Sequence, residues 1–182
     1  MLLIYLLIAI VVMVIIWGIS TYNKLVAVRE NVANSKGQIA AQIESRWDAL
    51  TSIIQATKQY AKHEADTLEK VTAQRTSVSE NSSVATLEKD DAQFAGVLDR
   101  LIAVAEAYPE LKASNLYQEA MRKINDYENN VRHSRMIYND TVTKLNRSVQ
   151  QFPTSVIAGM FNFSKEPYFE ETPSKQEMPS WE

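Results

Sequence analysis

The chain has 182 residues, no cysteine, and 19 Lys and Arg against 22 Asp and Glu, for a formal net charge of −3. That length holds one domain plus an anchor, and the missing thiols exclude disulfides, thiolate zinc sites and cysteine nucleophiles together. Four glycines and five prolines are few, a balance that suits long helices better than sheets. Residues 1–164 carry 17 basic and 17 acidic side chains, while 165–182 hold five glutamates against two lysines. This is not the footprint of a nucleic-acid binder, and no nucleic-acid partner is expected.

Met1 to Ile19 contains no charged side chain and is almost wholly Leu, Ile, Val, Met and Ala. At about 1.5 Å per residue the run measures roughly 28 Å, near the thickness of a bilayer's hydrocarbon core. A signal peptide would want a basic start, a shorter apolar run and a small-x-small cleavage site. None is visible, so residues 1–19 are expected to be a retained transmembrane helix, with membrane lipid as partner. Trp17 and Tyr22 lie near its inner rim, where amphipathic rings favour the membrane interface. The span has neither an ionisable group nor a small-xxx-small pair, which leaves it an anchor only. Lys24, Arg29 and Lys36 follow it closely, and the positive-inside rule then sets the N-terminus outside and the bulk of the chain in the cytoplasm. The expected location is the bacterial inner membrane, crossed once.

From Tyr22 to Val71, apolar residues recur at Leu25, Val28, Val32, Ile39, Ile43, Leu50, Ile54, Ala61, Leu68 and Val71. Steps of three, four or seven make a stripe down one side of a helix. No proline interrupts it, and Gly37 costs only about 1 kcal/mol relative to alanine, so one rod of roughly 75 Å is expected. Thr76 to Ser83 is rich in Ser, Thr and Asn and reads as the turn at its far end. A second helix is expected from Val84 to Tyr108, with Leu87, Phe94, Val97, Leu98, Leu101, Ile102 and Ala105 inward, closed by Pro109. Asn115 with Gln118 marks the start of a third helix, whose apolar positions run from Leu116 to Val149 and which Pro153 ends. Thr154 to Phe163 is apolar enough for a short helix.

The fold class that follows is all-α: an N-terminal transmembrane helix, then an antiparallel bundle of three long helices with a short C-terminal one. The expected divisions are 1–19 anchor, 20–152 bundle, 153–170 apolar and aromatic segment, and 171–182 acidic tail. Phe161, Phe163, Tyr168 and Phe169 crowd ahead of that tail. They read either as a flap capping the bundle or as a docking strip for a neighbouring subunit or the membrane surface. The tail's acidity argues against attraction to anionic lipid.

Several runs together resemble the LemA family: Tyr22-Asn23-Lys24-Leu25-Val26 with Arg29, Tyr60-Ala61-Lys62-His63-Glu64, Leu68-Glu69 through Arg75, and Glu106-Ala107-Tyr108-Pro109-Glu110-Leu111-Lys112-Ala113. Tyr138-Asn139, Asn146, Phe152-Pro153 with Ala158, and Tyr168-Phe169 continue the match in order. One run departs. Where the family usually has Arg-Arg-x-Asp-Leu-Ile-Pro-Asn, this chain reads Ser45-Arg46-Trp47-Asp48-Ala49-Leu50-Thr51-Ser52, losing one arginine and the proline, so a straighter helix is expected. The resemblance implies an N-terminal anchor followed by an antiparallel helical bundle, with relatives linked to building intracellular bacterial membranes.

No reaction is expected. His63-Glu64 lacks the second histidine four residues on, since Thr67 stands there. Neither His63 nor His133 has a glutamate three residues before it, as a carboxylate-bridged di-metal bundle would need. No nucleophile elbow or phosphate-cradling glycine loop occurs, so no metal and no cofactor are implied. Tyr138-Asn139 and Tyr108-Pro109 read as packing and capping devices.

If the chain reverses after Val71, a second helix of about 25 residues returns only half-way to the membrane and the third runs outward again. The membrane-proximal stripe of Leu25, Val28, Val32, Ile39 and Ile43 is then left uncovered, and an exposed stripe of that size marks an interface. A second copy is the expected cover, making a homo-oligomer that acts as a membrane-organising scaffold. The alternative is a regulatory adaptor that presents a helical surface to another membrane protein, such as a protease or sensor.

Overall fold

The computed structural model describes residues 1–73, 75 and 77–170; the acidic tail, 171–182, lies outside them, as does Thr76 of the expected turn. Helix is the regular structure throughout, and no strand occurs among the described residues. The first helix, α1, spans Leu2–Thr57, so the apolar run and the start of the body are one continuous rod of about 84 Å at 1.5 Å per residue. Residues 1–17 are exposed to the last side chain, and burial begins at Leu25.

The rod does not run on to Val71. It stops at Thr57, and Lys58 to Tyr60 make a turn in which the Tyr60 and Ala61 N–H groups both donate to the Thr57 carbonyl, at 3.0 and 2.8 Å. The buried Thr57 hydroxyl donates to the Ile53 carbonyl at 2.9 Å, a back-bond that competes with the helical ladder. Helix α2, Lys62–Ala73, then doubles back along α1. Its buried Ala65 and the preceding Ala61 have side chains small enough for close approach. The apolar phase is unchanged across the turn, Ile54 to Ala61 to Leu68, which is why periodicity alone passes over the break.

The reversal continues past α2. Arg75 reaches Glu44 at 2.6 Å and lies over the Trp47 ring, and Glu80 packs near Gly37. Ser83 caps α3, Val84–Ala107, by accepting from the Thr86 N–H. This helix runs outward beside α1: Asp90 and Phe94 meet Trp47, and Tyr108, just past its end, reaches Glu64. Pro109 opens the one-turn α4, Pro109–Ala113, where a missing N–H costs nothing. Ser114, one residue before the expected start, caps α5, Asn115–Gln150.

Helix α5 brings the chain back along α1 as far as Leu25. Glu128 meets Arg46, Asn130 meets Gln42, and Val149 packs on the cluster around Leu25. The two expected directions are thus exchanged: the Val84 helix runs outward and the Asn115 helix returns. The early turn at Thr57 is the cause, because α2 performs the reversal assigned to the second helix. Helix α6, Thr154–Met160, is shorter than expected and sits at the membrane-proximal end.

This routing covers the stripe. Leu25, Val32, Ile39 and Ile43 are buried, and Val28 is half-buried against the same core. The expectation that this face stays open for a second copy is therefore corrected: α5, with α6 and the segment after it, occupies the place. The inward set of the Val84 helix holds, with Leu87, Phe94, Val97, Leu101 and Ala105 buried.

Ile39→Ala leaves a cavity in the α1–α5 seam and should lower the unfolding free energy by about 2–5 kcal/mol. Met136→Ala, at an exposed position on α5, should stay within about 0.5 kcal/mol of the parent. Urea titration in mild detergent reads both, and equal small effects would contradict a stripe covered within the chain.

Candidate functional site

Two constellations stand out on this frame, one at the membrane-proximal end and one in the middle of the body. At the first, Tyr22 on α1 is flanked by Phe161 and Phe163, with ring centroids 4.7 and 5.9 Å away. Leu25, Ala158 and Phe163 form a small separate core there. The Arg29 guanidinium lies 4.9 Å from the Phe163 ring centre, a cation–π contact. Ile157 of α6 lies over Gly18, still inside the uncharged run. Of the two expected interface residues, Trp17 is exposed and Tyr22 half-buried among these aromatics.

Beyond α6, residues 163–169 turn back along α5 as an irregular strap held by two asparagines. Asn146 donates to the Glu166 carbonyl and accepts from the Glu166 N–H, both at 2.9 Å. Two turns earlier on α5, Asn139 does the same for Phe169, at 3.1 and 3.0 Å. Each side-chain amide thus offers the strap the donor and acceptor that a neighbouring strand would. Between them the Tyr138 hydroxyl donates to the Pro167 carbonyl at 3.0 Å. Burial first, and then the Glu166 carboxylate, push the Tyr138 phenol up to about 12.

The four aromatics expected to form one docking strip are split by this arrangement. Phe163 and Phe169 are buried, Phe169 edge-on against Tyr138, while Phe161 and Tyr168 are exposed. Phe161 belongs to the membrane-proximal end and Tyr168 to the strap.

The second constellation is built on Arg46, whose side chain is 1% exposed. One terminal nitrogen donates to Asp91 at 2.8 Å and to Glu128 at 2.6 Å, so α1, α3 and α5 are joined through a single guanidinium. The same group stacks 3.9 Å from the Phe94 ring centre. Trp47 stands edge-on to Phe94 and donates its indole N–H to Asp90 at 2.9 Å. Arg135 meets Asp91 at 3.2 Å and reaches over Phe169, which ties the strap to this hub. Burial holds the Asp90 carboxyl above the usual carboxylate range, against the Trp47 hydrogen bond and the charges of Arg46 and Arg75.

From the sequence, Asn139 reads with Tyr138 as a packing device, Asn146 stands only among the residues of the resemblance, and the hub is not singled out. Arg46 falls at the inward step between Ile43 and Leu50, where a charge must be buried and paired. Asn139 and Asn146 fall on one face of α5 two turns apart. Those positions were the available signals. Among the described residues no group of His, Asp and Glu is disposed to hold a metal ion, and His63 and His133 are both exposed, on different helices.

A helical body that continues without a break into an exposed apolar helix defines a membrane-associated helical protein. The chain belongs to the LemA family, whose model matches residues 35–182. It is 29% identical over 84 residues to magnetosome protein MamQ 2 of Paramagnetospirillum magneticum, covering 46% of this chain and 31% of that protein. The magnetosome protein MamQ of Magnetospirillum gryphiswaldense is 27% identical over the same shares. Protein LemA of Metamycoplasma hominis is 26% identical over 140 residues, 75% of this chain and 63% of that one. The chain therefore matches less than two thirds of the length of each of these relatives.

Two outcomes test the hub and the clips. The native state holds the Asp90 proton more tightly than the unfolded chain does, so this group makes stability fall as pH rises from the ordinary carboxylate value, about 3.9, through the raised one. Asp90→Asn removes that contribution and keeps an acceptor for Trp47. Its unfolding free energy relative to the parent's should accordingly climb with pH across that window in urea titrations, and a flat difference would refute the raised carboxyl. Asn139→Ala with Asn146→Ala removes the four hydrogen bonds to the strap. Trypsin should then cut after Lys165 at least about tenfold faster, since each bond contributes about 0.5–1.5 kcal/mol against local opening. Unchanged cleavage would show the strap held by other contacts.

Proposed function

We propose that this protein crosses the bacterial inner membrane once, with its N-terminus outside, and carries its helical body on the cytoplasmic face as a scaffold that organises the membrane holding it. The observation that carries the reading is the continuity of α1, Leu2–Thr57. One helix serves as span and as the inner wall of the body, so a push on the body is felt as a tilt in the bilayer. Lys24, Arg29 and Lys36 directly after the apolar run support the orientation. The relatives named as magnetosome proteins support a place at a bacterial membrane compartment. Many such rods gathered on one membrane add their effects without any single contact being strong.

The burial of the stripe changes how copies would meet. Leu25, Val32, Ile39 and Ile43 are engaged within the chain, so self-association uses other surfaces. The same burial favours a second reading, an adaptor whose finished helical body is presented to another membrane protein such as a protease or sensor.

Light scattering on the detergent-extracted full-length protein, with electron microscopy of the same fraction, separates the two. Large uniform particles are the expected result for the scaffold. A monomer or dimer would overturn it and leave the adaptor, whose partner crosslinking in intact membranes would then capture.

A further inference from the structure

The uncharged character of the first 19 residues has a counterpart near the other end of the chain: residues 148–164 carry no charged side chain either. They include α6, which buries Ala158 and half-buries Thr154, Ser155 and Ile157. Its other side is open. Phe152 is 84% exposed, Val156 50%, Met160 69% and Phe161 51%, with Val156 and Met160 in i, i+4 register on α6, Phe152 in the turn before it and Phe161 directly after it. Elsewhere past the anchor, the exposed large apolar residues among the described ones are Tyr60, Leu116, the neighbours Met136 and Ile137, and Tyr168, scattered along the chain. Scattered apolar residues need no explanation, whereas four together do.

The position of this patch identifies what covers it. A hydrocarbon core of about 30 Å takes about 20 helical residues, which uses the whole uncharged run and puts Gly18 at its rim. Ile157 packs over Gly18, and Phe161 against Tyr22 one turn further on. A bilayer that covers the anchor therefore cannot stop short of α6. Arg147 and Lys165 flank the patch in sequence, and Lys24 and Arg29 follow the apolar run on α1, with cationic groups suited to anionic headgroups. The strap carries the chain away from this level before the acidic tail begins, since Phe169 is clipped to Asn139, about 17 Å back along α5 from its end.

We propose that α6 and its aromatic flanks are a second, interfacial membrane contact, in which Phe152, Val156, Met160 and Phe161 enter the boundary between headgroups and acyl chains beside the transmembrane helix. Helices with one apolar face and no need to span sit at this depth. The contact rests on the anchoring reading above and adds to it. One helix through a bilayer can spin about its axis, whereas a helix and a footing beside it hold the body at one tilt and one rotation.

The absence of cysteine makes single-site labels readable. Val156→Cys, Met160→Cys, Leu116→Cys at the far end of the body, and Ile8→Cys within the anchor would each be labelled with an environment-sensitive nitrobenzoxadiazole dye. The full chain would be reconstituted at high lipid excess into vesicles of phosphatidylcholine and phosphatidylglycerol. Positions 156 and 160 should emit to the blue of position 116 and lose most of their fluorescence to lipids bearing a nitroxide near the headgroup. Position 8 should be quenched by deep nitroxides and position 116 by neither. If 8 is quenched while 156 and 160 behave like 116, the anchor stands and the second contact is overturned. An unquenched position 8 would overturn the anchor itself, and the contact with it. A blue shift at 156 that lipid nitroxides do not quench, and that fades on dilution into more lipid, would assign the patch to a second copy and likewise overturn the proposal.

Discussion

The face of α1 from Leu25 to Ile43 sets the terms for the rest of the chain. It leaves the apolar run as part of the same helix, at a level where water begins, and it carries side chains that each favour burial by about 1.5–3 kcal/mol. No turn separates the apolar run from the body, so a segment running alongside the body part of the rod has to cover it. Helix α5 does so, and its 36 residues correspond to about 54 Å. The short α2 and α3 pack on the outer half of α1. The lower half is left to the end of α5, to α6 and to the strap. The order of elements follows from that one demand.

The hub around Arg46 acts on the same seam in a different way. A buried ion pair contributes little net stability, because desolvation offsets most of the attraction. Here the guanidinium leaves its inner nitrogen and one terminal nitrogen without a hydrogen-bond partner, so it is an expensive way to gain stability. What it does supply is registration. If α5 slid by one helical turn, about 5.4 Å, Glu128 would leave Arg46, which would keep Asp91 of α3 but lose its tie to α5. The apolar steps along α5 are similar enough from turn to turn to tolerate such a slide on their own. Arg46 is also the one arginine retained in the run where this chain departs from the usual family pattern, and its position in the hub gives that retention a physical reason.

Much of the fold was legible in the sequence because its signals are local. Ser83 and Pro109 bracket α3, Asn115 lies one residue from the true cap of α5, and the absence of charge to Ile19 marks the anchor. The turn at Thr57 was not legible. Ala61 and Leu68 keep the helical phase across it, and neither glycine nor proline marks the place. Missing that turn reversed the directions assigned to the next two long helices and left the stripe uncovered on paper. The strap was hidden for another reason: its partners are side-chain amides, and a segment paired to Asn139 and Asn146 has no period to read. The crowd of aromatics ahead of the tail was visible as a cluster, but only the clips decide that Phe163 and Phe169 turn inward while Phe161 faces out.

The missing proline in the Ser45–Ser52 run bears on how the molecule works as a whole. Proline inside a helix removes one amide donor and costs about 3 kcal/mol. Thr51 stands at that place here and lies within the unbroken α1. The backbone ladder therefore continues from the apolar run to Thr57, past the hub, with no break along the way. In such a rod the turn at Lys58–Tyr60 is the first place where bending is easy, and it lies at the far end from the membrane. The apolar run and the inner wall of the body are thus parts of one stiff helix, whose first break falls after Thr57.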